Sequence, residues 1–460
     1  MPLEGNWINM KEKALELLKK RKFAELRLLL NDVSPVDVAT MIEELDKEDM
    51  LLMFRLLSKD LAAETFVEMD SDNQEMLISV FNDKELRAII DELYLDDVVD
   101  IVEEMPAIVV NRILQQADPE TRNSINELLK YPKDSAGSIM TIEYVDLKKD
   151  MTVEDAFNRI KQVGVDKETI YTCYVTSKNR KLLGIVTVKD LLLADKTTTL
   201  DKIMTTNIIY ATTLEDKEVV AKKFEKYDFI AMPVVDKETR LVGIITVDDA
   251  VDVIQDENTE DFTKMAAMQT SDDTYFKTPV WKQAKNRVLW LLILTLSAAI
   301  TGTIITNYQT AFAAVPLLVA FLPMLMDTGG NCGAQSSTMI IRGLALDEIR
   351  VGDVAKVILK EVGIALLVGL ALVLVNMIRI KLMYNSSPLV SQLMIVVGLT
   401  LMCTVTIAKV LGATLPILAK ACHLDPAMMA SPIITTIVDM CTVIIYFGLA
   451  TKLMDVIPSI

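Results

Sequence analysis

The amino-acid composition of this chain changes abruptly at Trp281, and this change sets the main limit on its fold. Before it the sequence is charged and segmented, and from it onward the sequence is apolar. Windows of about 20 apolar residues are long enough to cross the hydrocarbon core of a bilayer as helices. Five such windows lie at about 287–306, 311–341 with a break, 354–377, 390–413 and 428–453. The sequence therefore predicts a membrane domain of five helices behind a large soluble part.

Basic residues predict the orientation of these spans. Lys282, Lys285 and Arg287 precede the first window, and further Lys and Arg residues lie between the second and the third. Because basic loops stay on the cytoplasmic side, we expect the N-terminal part in the cytosol and, after five spans, the C-terminus outside. The chain opens as an amphipathic helix without a signal-like apolar stretch. We therefore expect a multi-pass protein of the cytoplasmic membrane.

The two parts differ in charge. The membrane part has 12 basic and 8 acidic residues, a net charge of +4, and the part before it has 35 basic and 56 acidic residues, a net charge of −21. Solubility alone explains an acidic surface, but hard cations such as Mg²⁺ also favour oxygen ligands. The single histidine, His423, and five cysteines without CxxC spacing speak against a zinc site. We expect divalent cations as partners and no nucleic acid.

Between about residues 35 and 130 the chain contains eight repeats of about twelve residues each, such as "PVDVATMIEEL" and "KDLAAETFVEM". Each copy opens with helix-capping residues and carries apolar residues at helical spacing. Short helices repeated in this way stack into a superhelix, so we expect an acidic all-α N domain over residues 1–134. Asp91 and Asp96 are candidate regulatory metal ligands. A solvated helix face is the simpler interpretation of Asp91, Asp96, Asp97 and Asp100 taken singly.

After "YPKDSAGSIMT" strands alternate with helices. The segments "LLGIVTVKDLL" at 182–192 and "LVGIITVDDAV" at 241–251 repeat one strand, turn and helix start. This duplication resembles a tandem pair of CBS domains, which we place at residues 135–200 and 201–258. The resemblance implies that a Thr and an Asp of each copy bind the ribose and phosphate of a nucleotide such as ATP; helix capping is the other interpretation. The candidates are Thr187 and Asp190 in the first copy and Thr246 and Asp248 in the second.

The second copy and the residues after it carry many carboxylates. Such like charges repel one another when no cation is bound, and divalent cations would draw their elements together. We therefore expect a domain whose shape reports the cytosolic cation concentration. Residues 259–283, expected to be a connecting helix, lead from it into the first span. The acids are Asp216, Glu218, Asp228, Asp249, Asp252, Asp256, Glu257, Glu260 and Asp261.

Asp439 lies near the middle of the last apolar window. A carboxylate at that depth costs about 3 kcal/mol on insertion scales, so it normally faces a cavity or an ion pathway; structural pairing is the alternative. In the second window, "PLLVAFLPMLMDTGGNCGAQ", Pro316 and Pro323 interrupt the helix, and three glycines allow a close approach around Asn331. Irregular backbone at membrane depth is tolerated where it lines a cavity, which makes this stretch a pore candidate. Asp327 is a second intramembrane carboxylate, for which structural pairing and ion contact both stay open.

The order of these parts, with "TGGNCGAQ" and "LDPAMMASPIITTIVD", resembles the MgtE-type magnesium channels over nearly the whole chain. The resemblance implies a multidomain membrane protein with an all-α superhelical N domain, α/β tandem CBS domains and a five-helix α transmembrane domain at 284–460. It also implies a homodimer with one central pore, closed when cytosolic Mg²⁺ is high. Its pore residues fall on Asp439, Asn331, Thr435 and Thr436, with Asp425 at the cytoplasmic mouth. Its regulatory acids fall on Asp216, Glu218, Asp228, Asp249, Asp252, Glu257, Glu260 and Asp261.

Other functional classes fit the sequence less well. A secondary transporter that couples Mg²⁺, Co²⁺ or Mn²⁺ to H⁺ or Na⁺, with nucleotide regulation through the CBS pair, is the alternative that the few intramembrane acids leave open. A chloride channel would need more spans and CBS domains at its C-terminus. The chain has no P-loop, GxSxG or HExxH motif, so we expect no enzyme activity. A nucleotide-sensing scaffold would leave Asp439 unexplained.

Overall fold

The computed structural model describes residues 2–269, 275–276, 278–385, 388–429 and 431–454. The chain divides into two units, Met1–Gln255 and Asp256–Ile460. The first unit contains the helical N domain and nearly all of the CBS pair. The second contains the end of the last CBS helix and the apolar spans.

Ten helices form the N domain in the part of the chain that the structure describes. They are α1 (Pro2–Lys19), α2 (Phe23–Leu30), α3 (Pro35–Glu43), α4 (Lys47–Phe54), α5 (Lys59–Val67), α6 (Ser71–Val80), α7 (Asp83–Ile90), α8 (Leu95–Glu104), α9 (Ala107–Gln116) and α10 (Pro119–Leu128). Asp46, Asp70 and Asp118 accept hydrogen bonds from free N–H groups at the helix starts that follow them. Helix α3 packs on α5, α5 on α7 and α7 on α9. The eight repeats thus coincide with α3 to α10, and the all-α prediction is confirmed.

The CBS pair contains two three-stranded sheets, ordered β1-β2-β3 and β4-β5-β6. Its elements are β1 (Tyr144–Lys148), α11 (Val153–Val163), β2 (Thr169–Thr176), β3 (Leu182–Thr187), α12 (Val188–Leu193), β4 (Ala211–Thr212), α13 (Lys217–Tyr227), β5 (Ala231–Val235), β6 (Leu241–Thr246) and α14 (Val247–Met265). In each sheet the first strand pair is parallel and the second antiparallel. The copies also exchange backbone bonds, since Thr141 N donates to Ile244 O (2.8 Å) and Ile185 N donates to Thr205 O (3.0 Å). The predicted α/β duplication is confirmed.

Five helical segments in the described part of the second unit are long and apolar enough to cross a membrane, as predicted. The helices of this unit are α15 (Val280–Thr306), α16 (Gln309–Ala314), α17 (Leu322–Ala345), α18 (Val354–Tyr384), α19 (Val390–Ala421) and α20 (Ser431–Leu453). Helix α17 packs on both α19 and α20, α18 packs on α19, and α15 packs on α20. Helices α17 and α20 therefore share the interior of the bundle with α19.

The second span is irregular only at its start. A 3₁₀ turn over Pro316–Phe321 precedes α17, and Pro323 occupies the first turn of α17, where its missing N–H has no helical partner to lose. The glycines around Asn331 lie inside a regular helix. The close approach expected of them occurs between helices. A Cβ atom added to Gly412 of α19 would lie only 2.2 Å from the carbonyl oxygen of Gly333.

The segment predicted as one connecting helix over 259–283 differs from that expectation. Helix α14 ends at Met265, and Ala267 adopts a left-handed backbone conformation with φ of 54°, which a continuing helix does not allow. Helix α15 begins at Val280, directly after Pro279. Residues 270–274 and 277 lie outside the described part of the chain. The described residues of the segment therefore include the end of one helix and the beginning of another.

Candidate functional site

The predicted pore residues lie on two helices that pack against each other. Thr435, Thr436 and Asp439 belong to α20, and Asn331 belongs to α17. A Cβ atom added to Gly330 would lie 2.8 Å from the Thr435 methyl carbon, so the two helices touch next to Asn331. Thr436 donates its hydroxyl hydrogen to the carbonyl of residue 432 at 2.9 Å, which leaves the hydroxyl oxygen as an acceptor. Oδ1 of Asp439 is buried and has no hydrogen-bond partner among the described residues.

One side of α17 is polar and exposed along the span. Asp327, Asn331, Gln335 and Thr338 are spaced by four, four and three residues, which places them on one side of a helix, and all four are exposed. The residues packed toward α19 and α20 are small, such as Gly329 and Gly330. Sequence reasoning found Asn331 but missed Gln335 and Thr338. Their helical spacing was the signal that could have found them.

Asp425 is held by a lysine that sequence reasoning also missed. Asp425 Oδ1 accepts a hydrogen bond from Ala427 N at 2.8 Å, and its Oδ2 accepts one from Lys264 Nζ at 2.7 Å. The same ammonium group lies 2.6 Å from Glu260 Oε1. Partial burial lowers the pKa of Lys264, but its hydrogen bonds to Asp425 and Glu260 outweigh this effect and raise the pKa. A predicted mouth residue and a predicted regulatory acid therefore share one cation supplied by the chain itself.

Two of the predicted regulatory acids have local partners in α13, and a third ends this helix. Asp216 caps the helix and accepts hydrogen bonds from Glu218 N at 2.9 Å and Val219 N at 3.4 Å. Glu218 pairs with Lys222 at 2.6 Å, one turn along the helix. Asp228 ends the helix in a left-handed conformation with φ of 53°. These contacts explain the residues locally and leave the cation-binding role of all three as a prediction.

The other predicted regulatory acids lie along α14. Asp249 is half-buried, and the hydroxyl of Thr246 donates a hydrogen bond to it at 2.6 Å. Burial raises the pKa of Asp249 to about 6, although the Thr246 hydrogen bond acts in the opposite direction. Burial, and then repulsion from Asp252, raises the pKa of Glu68 in the N domain. Glu257 and Asp261 follow two to three turns later on the same helix.

The N domain and the first CBS copy bring three carboxyl groups together. Oxygen atoms of Asp96, Glu143 and Glu168 lie within 4.8 Å of one another. Asp96 is only 8% exposed, and its Oδ1 has no hydrogen-bond partner among the described residues. The backbone N–H of Leu95, the first residue of α8, donates to Glu143 at 3.1 Å. Oxygen ligands in this number and spacing suit a hard divalent cation.

Burial and mutual repulsion act on the whole neighbourhood of this triad. The pKa of Asp96 lies well above its usual range. Burial is the larger cause, and repulsion from nearby carboxylates, including that of Asp249, adds to it. The same causes raise the pKa of Asp97 to about 7 and that of Glu168 to about 8. A divalent cation would relieve this repulsion, and protons compete with it for the same oxygens.

The structure separates the two N-domain candidates. Asp91 is partly exposed and lies 3.6 Å from Arg87 on the same helix, which agrees with a solvated helix face. Asp96 is buried against the CBS pair, so that interpretation is wrong for Asp96. Glu143 and Glu168 were not among the candidates. They precede and follow the first CBS helix, and sequence spacing alone does not reveal that they meet Asp96.

The candidate nucleotide residues require one correction. Thr187 and Asp190 form a capping box at the start of α12, in which Asp190 accepts from the Thr187 hydroxyl at 2.6 Å. In the second copy the hydroxyl of Thr246 donates to Asp249 and not to Asp248. The equivalent of Asp190 is therefore Asp249, three residues after the Thr, because the carboxylate must reach back from the third helical position. Both Thr–Asp pairs cap helices.

A buried ionic contact lies within the membrane domain. Ser336 of α17 donates to Glu361 Oε2 of α18 at 2.6 Å, and Lys409 Nζ of α19 lies 3.2 Å from the serine oxygen and 3.8 Å from the same carboxylate oxygen. Lys409 is 5% exposed and Glu361 is 8% exposed. Sequence reasoning missed this network because its three members come from three separate spans.

Known proteins resemble this chain over nearly its full length. The MgtE family, described as divalent cation transporters, matches residues 322–449, the MgtE intracellular N domain matches 33–134, and CBS domains match 136–196 and 200–256. The magnesium transporter MgtE of Thermus thermophilus is 36% identical over 96% of this chain and 98% of its own length. Its namesake in Bacillus subtilis is 30% identical, with 95% of each chain covered.

Solved structures agree for the soluble part. The cytosolic domain of the Mg²⁺ channel MgtE in complex with ATP is 36% identical to the matched part of this chain. It has a TM-score of 0.51 and covers 53% of this chain and 99% of that structure. The soluble part of a magnesium transporter is 30% identical, with a TM-score of 0.52. This match covers 55% of this chain and 99% of the solved chain. The chain belongs to the MgtE family of divalent cation transporters.

Proposed function

We propose that this chain is a Mg²⁺ channel of the cell membrane that high cytosolic Mg²⁺ closes. The observation that carries this proposal is the exposed polar side of α17 beside Asp439 of α20, whose buried oxygen lacks a partner among the described residues. Lipid does not tolerate such a surface, whereas a water-filled ion path does. The magnesium transporters MgtE of Thermus thermophilus and Bacillus subtilis support Mg²⁺ as the cargo.

The chemistry of these residues suits a hydrated ion. Mg²⁺ releases its water ligands reluctantly and is usually held by one or two carboxylates and several retained waters. Asp439 would attract the ion, and the oxygens of Asn331, Thr435 and Thr436 would accept hydrogen bonds from its waters. Such a path selects by the size and charge of the hydrated ion.

A second copy of the chain completes the path in this proposal. The polar side of α17 is exposed in one chain, and a symmetric partner would enclose it together with the partner's own α17 and α20. Two Asp439 side chains would then face each other across the axis. The N domain and CBS pair would lie in the cytosol and the C-terminus outside, in agreement with the basic loops.

Closure would follow from the acidic clusters of the cytosolic part. Cations bound between Asp96, Glu143 and Glu168, and among the acids of α13 and α14, would stabilise one arrangement of the N domain and CBS pair. Several weak sites that form together bias the closed state steeply. Lys264, which contacts Asp425 beside the last span, would connect α14 to the path.

ATP is the proposed ligand of the CBS pair. A relative's cytosolic domain has been solved with ATP, and this chain has a Thr–Asp pair in each copy, at Thr187 and Asp190 and at Thr246 and Asp249. Each carboxylate already accepts a hydrogen bond from the hydroxyl of its threonine. A nucleotide would therefore use the remaining acceptor sites of the carboxylate oxygens. ATP titration of the purified chain, with Asp190→Ala as the comparison, tests this part of the proposal.

Transport is tested with Mg²⁺ uptake into proteoliposomes that contain the purified chain. Wild type should take up Mg²⁺ at low Mg²⁺ on the cytosolic side, and Asp439→Asn should not. Glu348→Gln is the control, because Glu348 is an exposed acid in the loop after α17. Equal uptake by wild type and Asp439→Asn would refute the proposal.

An ion-coupled carrier is the second candidate. The observation that favours it is the buried contact of Glu361, Ser336 and Lys409, which contains two titratable groups at membrane depth. A carrier would couple Mg²⁺, Co²⁺ or Mn²⁺ to H⁺ or Na⁺. Reversal potentials measured under imposed H⁺ and Na⁺ gradients separate the two: only a carrier shifts its reversal potential with the coupled ion.

A further inference from the structure

The membrane domain contains three acids in its spans whose surroundings differ sharply. Glu361 is buried beside Lys409 and accepts a hydrogen bond from Ser336, so its charge is neutralised inside the bundle. None of the ion pairs of the described membrane residues includes Asp327 or Asp439. Intramembrane carboxylates without a basic partner normally face water or an ion.

Helix packing places Asp327 beside the segment of α20 that carries Asp439. A Cβ atom added to Gly329 would lie 2.7 Å from a Val438 methyl carbon and 3.4 Å from the hydroxyl of Thr442. Because α17 and α20 touch at these positions, Asp327, two residues before Gly329, lies at the level of Asp439.

The structural alternative for Asp327 is a contact with Arg379 of α18, a basic residue that reaches the start of α17. The Arg379 guanidinium lies 5.5 Å from the centre of the Phe321 ring, and one of its nitrogens lies 3.3 Å from the sulfur of Met324. Asp327 is instead exposed and continues the polar side that contains Asn331. It therefore belongs to the surface that the ion path requires.

We infer that Asp327 is a second cation-contacting carboxylate of the ion path and that each chain brings two carboxylates, Asp327 and Asp439, to one level of it. This inference rests on the proposed function and extends it to selectivity. Attraction between the ion and a fixed charge grows with the charge of the ion, so a second carboxylate favours Mg²⁺ over Na⁺ more than one carboxylate does. Asp327 would act on the ion through its water shell, as Asp439 does.

The test measures Mg²⁺ uptake against Mg²⁺ concentration, and the Mg²⁺ to Na⁺ permeability ratio, in proteoliposomes. Asp327→Asn should raise the apparent KM for Mg²⁺ by about tenfold and lower the permeability ratio, because one fixed charge near the ion is lost. Asp327→Glu should restore both values. The matched control is Glu348→Gln, which removes an exposed acid from the loop after the same helix.

Two outcomes overturn the inference. One is a wild-type KM and permeability ratio in Asp327→Asn, measured in preparations where Asp439→Asn abolishes uptake. The other is loss of uptake in Asp327→Asn that Asp327→Glu does not restore, which would assign Asp327 to packing. If Asp327→Asn fails to give monodisperse protein, Asp327→Ser replaces it in the same measurements. Absence of uptake in wild type itself would instead refute the proposed function.

Discussion

Lys264 donates a hydrogen bond to Asp425 over 2.7 Å, and the two residues are 161 positions apart in the sequence. Lys264 belongs to the last turn of α14, whereas Asp425 lies in the short loop between α19 and α20. The ammonium group also contacts Glu260 at 2.6 Å, so it occupies the position that a metal ion would take between two carboxylates. Lys264 therefore links α14 to the loop before α20.

The first prediction concerns this link. Lys264→Met leaves Glu260 and Asp425 without their shared cation, and their like charges then separate unless Mg²⁺ takes the place of the ammonium. We expect higher Mg²⁺ flux at low cytosolic Mg²⁺ and closure that still occurs at high Mg²⁺. Lys264→Arg keeps the charge and serves as the control. A flux curve for Lys264→Met that coincides with that of wild type would show that the contact has no role in closure.

The sequence predicted the elements whose cause is local. The eight repeated helices of the N domain could be predicted because each carries its own apolar spacing and several follow a capping residue, as at Asp46 and Asp118. The five spans could be predicted because a helix that crosses a bilayer must be long and apolar. Asp439 stood out for the same reason, since a lone charge in an apolar window is costly.

Contacts between distant segments could not be predicted in this way. Asp96 looks like any acid on a helix face until the CBS pair buries it beside Glu143 and Glu168. Lys409 and Glu361 are 48 positions apart, and periodicity within either helix does not reveal their contact. Comparison of the two repeated segments does not distinguish Asp248 from Asp249, because the helical position that a capping carboxylate needs depends on where α14 begins.

A second prediction separates the two N-domain candidates. Asp96→Asn removes a buried carboxyl group whose pKa is raised by burial and repulsion, so it should weaken Mg²⁺ binding and shift closure to higher Mg²⁺. Asp91→Asn removes a partly exposed acid paired with Arg87 and should change closure little. Flux measured against cytosolic Mg²⁺ checks both variants. Equal shifts in the two would mean that burial beside Glu143 and Glu168 is irrelevant to sensing.

A third prediction concerns pH. The pKa values of Asp97, about 7, and of Glu168, about 8, lie above those of free carboxyl groups, so the folded state holds protons that the unfolded chain releases near pH 4. Stability from these groups is therefore present at low pH and decreases as pH rises through 7 to 8. Without divalent cations, the amide hydrogens of α8 should be less protected at pH 8 than at pH 6, after correction for the base-catalysed rise of the intrinsic exchange rate.

The same linkage predicts the response to the cation. Mg²⁺ needs the deprotonated carboxylates, so its binding should release protons and slow the exchange of α8 at pH 8 more than at pH 6. Hydrogen exchange of the full chain in detergent, with and without Mg²⁺, measures this difference. Slowing by Mg²⁺ that is equal at both pH values, or that persists in Asp96→Asn, would contradict the assignment of the cation to this cluster.

A fourth prediction tests the packing between α17 and α19. Gly412→Ala would place a methyl carbon 2.2 Å from the carbonyl oxygen of Gly333, and neither backbone can move without opening the helix pair. We expect a destabilisation of about 2 kcal/mol or more, seen as a lower midpoint of thermal unfolding in detergent. Gly363→Ala in α18 is the matched control, because nothing lies within 4 Å of its added Cβ.

The last prediction concerns the charged pair inside the membrane domain. Lys409→Met leaves the buried Glu361 carboxylate without its cation, and loss of one partner of a buried pair costs about 3 kcal/mol. Glu361→Gln added to Lys409→Met removes the stranded charge and keeps an acceptor for Ser336, so the double variant should recover most of the stability. Thermal unfolding in detergent measures the three proteins, and Mg²⁺ uptake measures whether recovery extends to transport. Uptake restored together with stability would assign the pair to the scaffold behind the path. Stability restored without uptake would instead indicate that Lys409 and Glu361 exchange protons during transport, as the carrier alternative requires.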